Sequence, residues 1–370
     1  MTPPSPTPAR ASVAAWLGVL FCLVFALNTA GGWVRLSGSG VAIPHWPVIE
    51  LRSGGWTLLP PFSATGWQDM HAAFQSHQAH LLARVQRGEL SSANLGRQPH
   101  DEGDFRAMFL TEWSHRLLAA LTGLIAAGVI VSTLRHAELR RRIGVPLSAM
   151  GILIIAQAVL GGALVSQGTN THWLFVHQGN AGLIMMCILW SILRMLDVSM
   201  TKQPGRLALN PLVTVAASAI WLQLMIGALV AGSRHNVQGE VALGLGALPS
   251  LWQSQLTLGA NLLDNGGLHM WLHRWWALTI TALLLATYAV AARTDTGPRA
   301  RLALQVSATF LALQMVFGLV NAVVGSTPLI ALGHQVLGMC LLLSVVMARH
   351  DVRHEATLNP DTGLPDLARI

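Results

Sequence analysis

The stretch WSHRLLAALTGLIAAGVIVSTL, residues 113–134, decides the fold. Beyond Arg116 it carries no charged side chain, and it is about as long as the ~20 apolar residues that cross a hydrocarbon core. Comparable runs occupy residues 12–34, 145–165, 173–195, 211–231, 270–292, 302–324 and 327–347. Composition agrees: 52% of the 370 residues are hydrophobic, 11% are charged, and mean hydropathy is +0.51, far from the averages of soluble domains. The expected fold class is therefore all-α integral membrane protein with eight transmembrane helices.

The quoted run begins with a histidine that recurs. Glu112-Trp113-Ser114-His115-Arg116 is answered by Leu272-His273-Arg274, and each is followed at nearly the same interval by a His-Gln pair, His177-Gln178 and His334-Gln335. Gln157 and Gln314 stand at the same distance before the two later histidines, each followed four residues on by Gly161 and Gly318. This is an internal duplication with four helices and two imidazoles per repeat.

The chain has 23 Lys and Arg against 16 Asp and Glu. Such a balance raises nucleic acid as a partner, but the distribution of the cations excludes it. Arg10, Arg135, Arg140–Arg142, Arg194, Lys202, Arg206, Arg293, Arg299, Arg301, Arg349 and Arg353 fall on one side of an eight-span chain. By the positive-inside rule both termini are cytoplasmic. The first span is too long for a signal-peptide core and is read as retained. All four histidines then lie near the outer ends of even-numbered spans.

Ionisable side chains within a membrane are expensive, and they mark function by default. A lone histidine there is as well explained as an interhelical hydrogen-bonder; four in duplicated register are not. Zinc or copper sites need three or four ligands in one sphere, whereas one pair per half suits haem iron gripped from both sides. Gly161, Gly162, Gly179, Gly182, Gly318, Gly325 and Gly338 would let helices approach closely, although glycine is also common in membrane helices generally. The halves differ at one position: Glu112 precedes His115 by three residues on the same helical face, while Met270 precedes His273. A carboxylate beside one pair only assigns proton-trading chemistry to the first half and cofactor holding to the second. The competing role for Glu112 is an ion pair with Arg116 or Arg35. Arg35, Arg116 and Arg274 are candidates for clamping haem propionates, or they are interfacial anchors. Trp33, Trp113, Trp173, Trp271, Trp275 and Trp276 read as an aromatic belt.

These residues resemble the haem A synthase family. The likeness runs from Gly31-Gly32-Trp33-Val34-Arg35-Leu36-Ser37-Gly38-Ser39-Gly40 through Trp46-Pro47-Val48, Leu59-Pro60-Pro61, Trp67, Phe74 and Glu112-Trp113-Ser114-His115-Arg116-Leu117. It continues through Gln157 to Val165, His177-Gln178, Gly227-Ala228-Leu229-Val230-Ala231-Gly232, His273-Arg274 and His334-Gln335. The resemblance implies two pseudo-symmetric four-helix bundles: residues 1–200 with a long outer loop at 41–108, residues 201–350, and a cytoplasmic tail at 351–370. It implies haem B as cofactor on His273 and His334, with the substrate, haem O, held between His115 and His177. It also implies oxidation of the haem O C8 methyl to a formyl group, giving haem A for terminal oxidases, with Glu112 required. The setting implied is a bacterial cytoplasmic membrane. Candidate partners are a redox donor or acceptor, haem O synthase, terminal oxidase subunits and a second copy of the chain. Two other classes of function compete: a two-haem cytochrome that relays electrons, and a non-catalytic haem-handling assembly factor.

Several relatives carry an outer-loop cysteine pair. Here Cys22, Cys187 and Cys340 all lie in expected spans, so no loop disulfide forms and the chain resembles the cysteine-free branch. The segment 234–267 also lacks the aromatic-Pro-Leu pattern expected beside the cofactor. In the first loop, Trp67, Met70, Phe74, His77 and Leu81 recur every three or four residues, predicting an amphipathic helix on the membrane surface or over the site. His71, His77 and His80 lack metal-ligand spacing and read as a solvated face. Residues 88–103 are polar and expected to be mobile.

Overall fold

The computed structural model describes residues 8–50, 55–90, 95–168, 170–196, 200–201, 209–233, 252–294, 296–325, 327–353 and 355–356. Among the described residues eight helices are long and apolar enough to span a membrane. They are α1 (Pro8–Leu36), α3 (Glu102–Arg135), α4 (Ala137–Ser166), α5 (Thr171–Leu196), α6 (Leu209–Ser233), α8 (Gly266–Ala292), α9 (Pro298–Val323) and α10 (Pro328–Arg353). Two further helices, α2 (Ala64–Gln86) and α7 (Leu258–Asp264), lie between spans. Two short antiparallel pairs complete the described chain: β1 (Ile49–Glu50) with β2 (Trp56–Thr57), and β3 (Met200–Thr201) with β4 (Glu355–Ala356).

Helices α1, α3, α4 and α5 neighbour one another in a ring, as do α6, α8, α9 and α10. The rings meet chiefly through α5 against α6, α5 against α10, and α1 against α10. This explains why α5 is the most enclosed span, with 61% of its apolar window buried against 11% for peripheral α9. Tryptophans tie the central helices: Trp221 Nε1 donates to the Gly179 carbonyl at 2.8 Å and Trp276 Nε1 to that of Ala219 at 2.9 Å. Trp276 thus joins helices rather than standing in an aromatic belt. Trp33, Trp173 and Trp275 are each 40% exposed, as a belt requires.

The arginines at the end opposite the histidines cap helix termini. The last carbonyls of a helix lack intrahelical donors. Arg10 donates to the Met195 carbonyl and Arg142 to that of Arg194, closing the end of α5. Lys202 and Arg206 lie outside the described residues.

Helix α3 starts at residue 102, so the first loop ends earlier than the expected 108. Asp101 caps this end by accepting from the Asp104 amide at 2.7 Å, with Glu102 and Asp104 in the first turn favoured by the helix dipole. The added turns bury Phe105, Met108 and Phe109, and α2 packs Trp67, Met70 and Phe74 against Phe105 and Phe109. The amphipathic helix therefore lies against protein. Gln78 shares its buried face, whereas His77 is half-buried. The expected mobility of 88–103 does not hold for residues 95–101. Gln78 Oε1 accepts from the Gly96 amide at 3.1 Å, and Arg97 reaches both Asp104 oxygens at 2.6 and 2.8 Å and the Ser37 carbonyl at 3.1 Å. Residues 91–94 lie outside the described residues.

Candidate functional site

The four histidines sit on helices α3, α5, α8 and α10. In each ring of four the histidine-bearing helices occupy one diagonal and the intervening helices the other. His115 on α3 and His177 on α5 stand on the diagonal of the first ring. His273 and His334 have ring centroids 6.1 Å apart with planes at 69°. Two metal–imidazole bonds of about 2 Å each plus two ring radii sum to roughly that separation. The second pair therefore fits a metal held from both sides. The Nδ1 atoms of His115, His177 and His334 are buried without a hydrogen-bond partner. Buried polar atoms are ordinarily satisfied, so these three Nδ1 atoms are open to a ligand or a further partner.

Each imidazole rests on a glycine of the preceding span. A Cβ placed on Gly31 of α1 would lie 3.1 Å from His115 Cε1, and one on Gly227 of α6 or Gly318 of α9 would lie 3.2 Å from Cε1 of His273 or His334. On Gly161 of α4 the corresponding distance to His177 is 3.6 Å, an ordinary contact. Gly31→Ala, Gly227→Ala and Gly318→Ala are expected to displace their rings at an overpacking cost of about 1–3 kcal/mol. Gly161→Ala should instead be neutral or stabilising by up to about 1 kcal/mol, the helix preference for alanine. Thermal unfolding midpoints of the four purified variants check this ordering.

Sequence periodicity revealed Gln157/Gly161 and Gln314/Gly318; a third copy, Gln223/Gly227, was missed. The signal was present as Gln-x-x-x-Gly, but it is followed by a histidine at a different interval because residues 234–267 intervene. Part of that segment, 234–251, lies outside the described residues. The rest forms a polar cap over α8. Asn261, fully buried, donates to the Gln253 carbonyl at 2.9 Å, and Asn265 caps α8 through the Leu268 amide at 3.1 Å.

Glu112 is 3% exposed, and both its oxygens are engaged. Oε1 accepts from Arg116 at 2.6 Å and Oε2 from the Ile43 amide at 2.9 Å. Arg116 also donates to the carbonyls of His45 and Ile43, at 2.6 and 2.9 Å. The choice between Arg116 and Arg35 as ion-pair partner thus falls to Arg116. The carboxylate fastens residues 43–45 to α3, and the next residue, Trp46, covers Gly162, whose Cβ position lies 2.8 Å from the indole. Here Pro44, His45, Trp46, Val159, Gly162, Val165 and Ser166 line a cavity of about 340 Å³, one residue along from the glycine that supports His177.

The other arginines separate. Arg35 donates to the carbonyls of Ala231 and Gly232 at the end of α6, at 2.9 and 3.3 Å, joining the two rings. Arg274 is half-buried on α8, next to His273, and makes no hydrogen bond or ion pair among the described residues. Trp113 donates to the Leu58 carbonyl at 2.8 Å and so anchors the first loop. Among the described residues no group of three or more His, Cys, Asp or Glu could hold a metal ion.

Eight apolar spans that place two pairs of histidines on diagonally opposed helices define a multi-pass integral membrane protein. A family model described as cytochrome oxidase assembly protein, COX15-CtaA, matches residues 14–346. The chain belongs to that family. Among curated relatives it is 29% identical to the heme A synthase of Paracoccus denitrificans, over 95% of this chain and 94% of the relative. It is 28% identical to that of Ruegeria pomeroyi, over 92% and 88%, and 27% identical to that of Methylorubrum populi, over 96% and 91%.

Proposed function

We propose that this chain is a haem A synthase that oxidises the C8 methyl of haem O to a formyl group. The observation carrying this reading is the unequal pair of pairs: two half-buried imidazole pairs, with a buried carboxylate, Glu112, one helical turn before a histidine of the first pair and Met270 at that place in the second. The relatives' names agree with it. In this reading the chain comprises two duplicated bundles, residues 1–200 and 201–350. His115 and His177 hold the substrate, and His273 and His334 hold haem B, which when bound supplies a one-electron redox centre. Arg274, whose guanidinium has no partner among the described residues, is suited to a propionate.

Conversion of methyl to formyl is two successive two-electron oxidations. The first turns a C–H bond into C–OH; the second makes a gem-diol that loses water. With water as the oxygen source each step releases two protons and two electrons, which need a proton acceptor and an electron-accepting redox partner. With dioxygen as the source each step instead consumes two electrons and two protons, delivered by an electron-donating partner. Residues 43–46 are held by Glu112 and Arg116 and lie against Gly162, next to the glycine under His177. Labelling with oxygen-18 water distinguishes a water-derived formyl oxygen from one taken from dioxygen. The arginine-rich end faces the cytoplasm by the positive-inside rule, which puts the histidine end at the outer face of a bacterial cytoplasmic membrane. Haem O synthase and oxidase subunits are the protein partners that fit this position.

The test is the haem content of protein expressed with and without a supply of haem O. Haem A or its hydroxylated intermediate beside haem B, only when haem O is supplied and lost in His115→Ala, supports the reading. Two haem B per chain under both conditions would make it an electron-relaying cytochrome. Haem that exchanges without turnover would make it an assembly factor.

A further inference from the structure

Three spans carry Gln-x-x-x-Gly with the glycine under a histidine, and the three glutamines do different things. Gln223 Nε2 lies 3.1 Å from His273 Nδ1 and donates to the His273 carbonyl at 2.9 Å. Gln314 Nε2 lies 3.3 Å from His334 Nε2. Gln157, by position the counterpart of Gln314, does not reach His177: its Oε1 accepts at 2.6 Å from Asn180, which also donates to the Leu153 carbonyl at 2.8 Å. His115 has no such glutamine at all, because Leu27 stands four residues before Gly31.

The cause of the diversion can be read by aligning the two His-Gln segments. His177-Gln178-Gly179-Asn180-Ala181 faces His334-Gln335-Val336-Leu337-Gly338. Where the first half has Asn180, which can capture the glutamine, the second has Leu337, which cannot. Where the first has Ala181, the second has Gly338, whose Cβ position would lie 3.2 Å from Gln314 Nε2. The second half leaves space for its glutamine to meet the histidine; the first half fills that space and supplies a competing partner. Asn180 is 8% exposed, so this competition takes place away from water.

Of the four imidazoles, His177 is therefore held least. It lacks the amide given to His273 and His334, and its glycine leaves 3.6 Å where the other three leave 3.1–3.2 Å. A ligating imidazole donates its other ring N–H to an acceptor, and losing such a partner typically costs about 10–100-fold in metal affinity. The Oε1 atoms of Gln223 and Gln314 are buried and unclaimed among the described residues, so a turn of either amide supplies that acceptor, whereas Asn180 occupies Oε1 of Gln157. We infer that His177 is the exchangeable ligand of the first pair, and that Asn180 is the positioning residue that makes it so by keeping Gln157 off the ring. His177 can then swing away from the metal, opening one axial side while His115 retains the other. This rests on the reading that each pair holds a haem iron.

The experiment uses the full chain loaded with haem O and haem B, reduced, and titrated with carbon monoxide while visible spectra are recorded and haem content is measured by extraction. Wild type should bind one carbon monoxide per chain, at haem O. Asn180→Leu should free Gln157 for His177, keep haem O, and weaken carbon monoxide binding about 10–100-fold. The double variant Asn180→Leu/Gln157→Leu should restore it, a result that simple damage to α5 would not give. In the other half, Leu337→Asn should draw Gln314 away and make haem B newly reactive to carbon monoxide. An Asn180→Leu protein that binds carbon monoxide like wild type overturns the inference, as does a double variant that stays inert. If Asn180→Leu does not assemble, Leu337→Asn decides alone, and a haem B site that remains inert overturns it. A wild-type chain that takes up no haem O overturns the haem reading itself and is recognised before any variant is compared.

Discussion

Glu112→Ala is expected to lower conversion of haem O by about 10²–10⁴-fold, the range for loss of a positioned acid–base group, while haem B stays at one per chain. The geometry gives two reasons. The carboxylate is the acidic side chain beside the first pair, and it also fixes residues 43–46 through Arg116 and the Ile43 amide. Removing it leaves the Arg116 guanidinium, 17% exposed, without its counter-ion. Breaking one side of a buried pair typically costs about 3–5 kcal/mol. Glu112→Gln separates the two roles, since the amide can still accept from Ile43 but cannot take a proton. If Glu112→Gln keeps the loop protected from proteolysis yet fails to oxidise haem O, the carboxylate acts in proton transfer. If both variants lose haem O altogether, Glu112 is a structural fastener. Full activity in Glu112→Ala would remove it from the mechanism.

His273→Ala and His334→Ala should each abolish haem B retention and reduce turnover below detection, with haem O still bound in the first half. The two rings face one another at 6.1 Å, each on a tight glycine and each with a glutamine amide at hand. Among the described residues no third His, Cys, Asp or Glu joins them to take the place of either. Quantifying haem B and haem O separately by extraction and chromatography checks this; haem B still at one per chain in either variant would place the cofactor elsewhere. The same substitution at His177 should be milder for haem O binding than at His115, in keeping with the looser support of His177.

Much of this architecture was legible before any coordinates. The eight spans are near their expected bounds because hydropathy is a one-dimensional property: a helix that satisfies its own backbone in lipid needs only enough consecutive apolar residues. The four histidines were legible because they recur at nearly equal spacing, 115 to 177 and 273 to 334. The start of α3 was not. Glu102, Asp104 and Arg106 make that stretch look like loop, and only the packing of Phe105 and Phe109 against Trp67 on α2 makes it helix.

Partner choice was the other illegible part. Arg116 and Arg35 had equal claims on Glu112 in the sequence, and the fold sends Arg35 to the end of α6 instead. Gln157 and Gln314 look equivalent in the sequence, each four residues before its glycine, yet Asn180 captures one and Leu337 leaves the other free. Sequence alone determined that this chain crosses a membrane eight times and brings four imidazoles to one end, because apolar length and repeated spacing act locally along the chain. Tertiary structure alone decided which imidazoles are tightly held and which carboxylate oxygen meets which donor. Those outcomes depend on competition among groups far apart in the chain, settled by tenths of an ångström between packed helices.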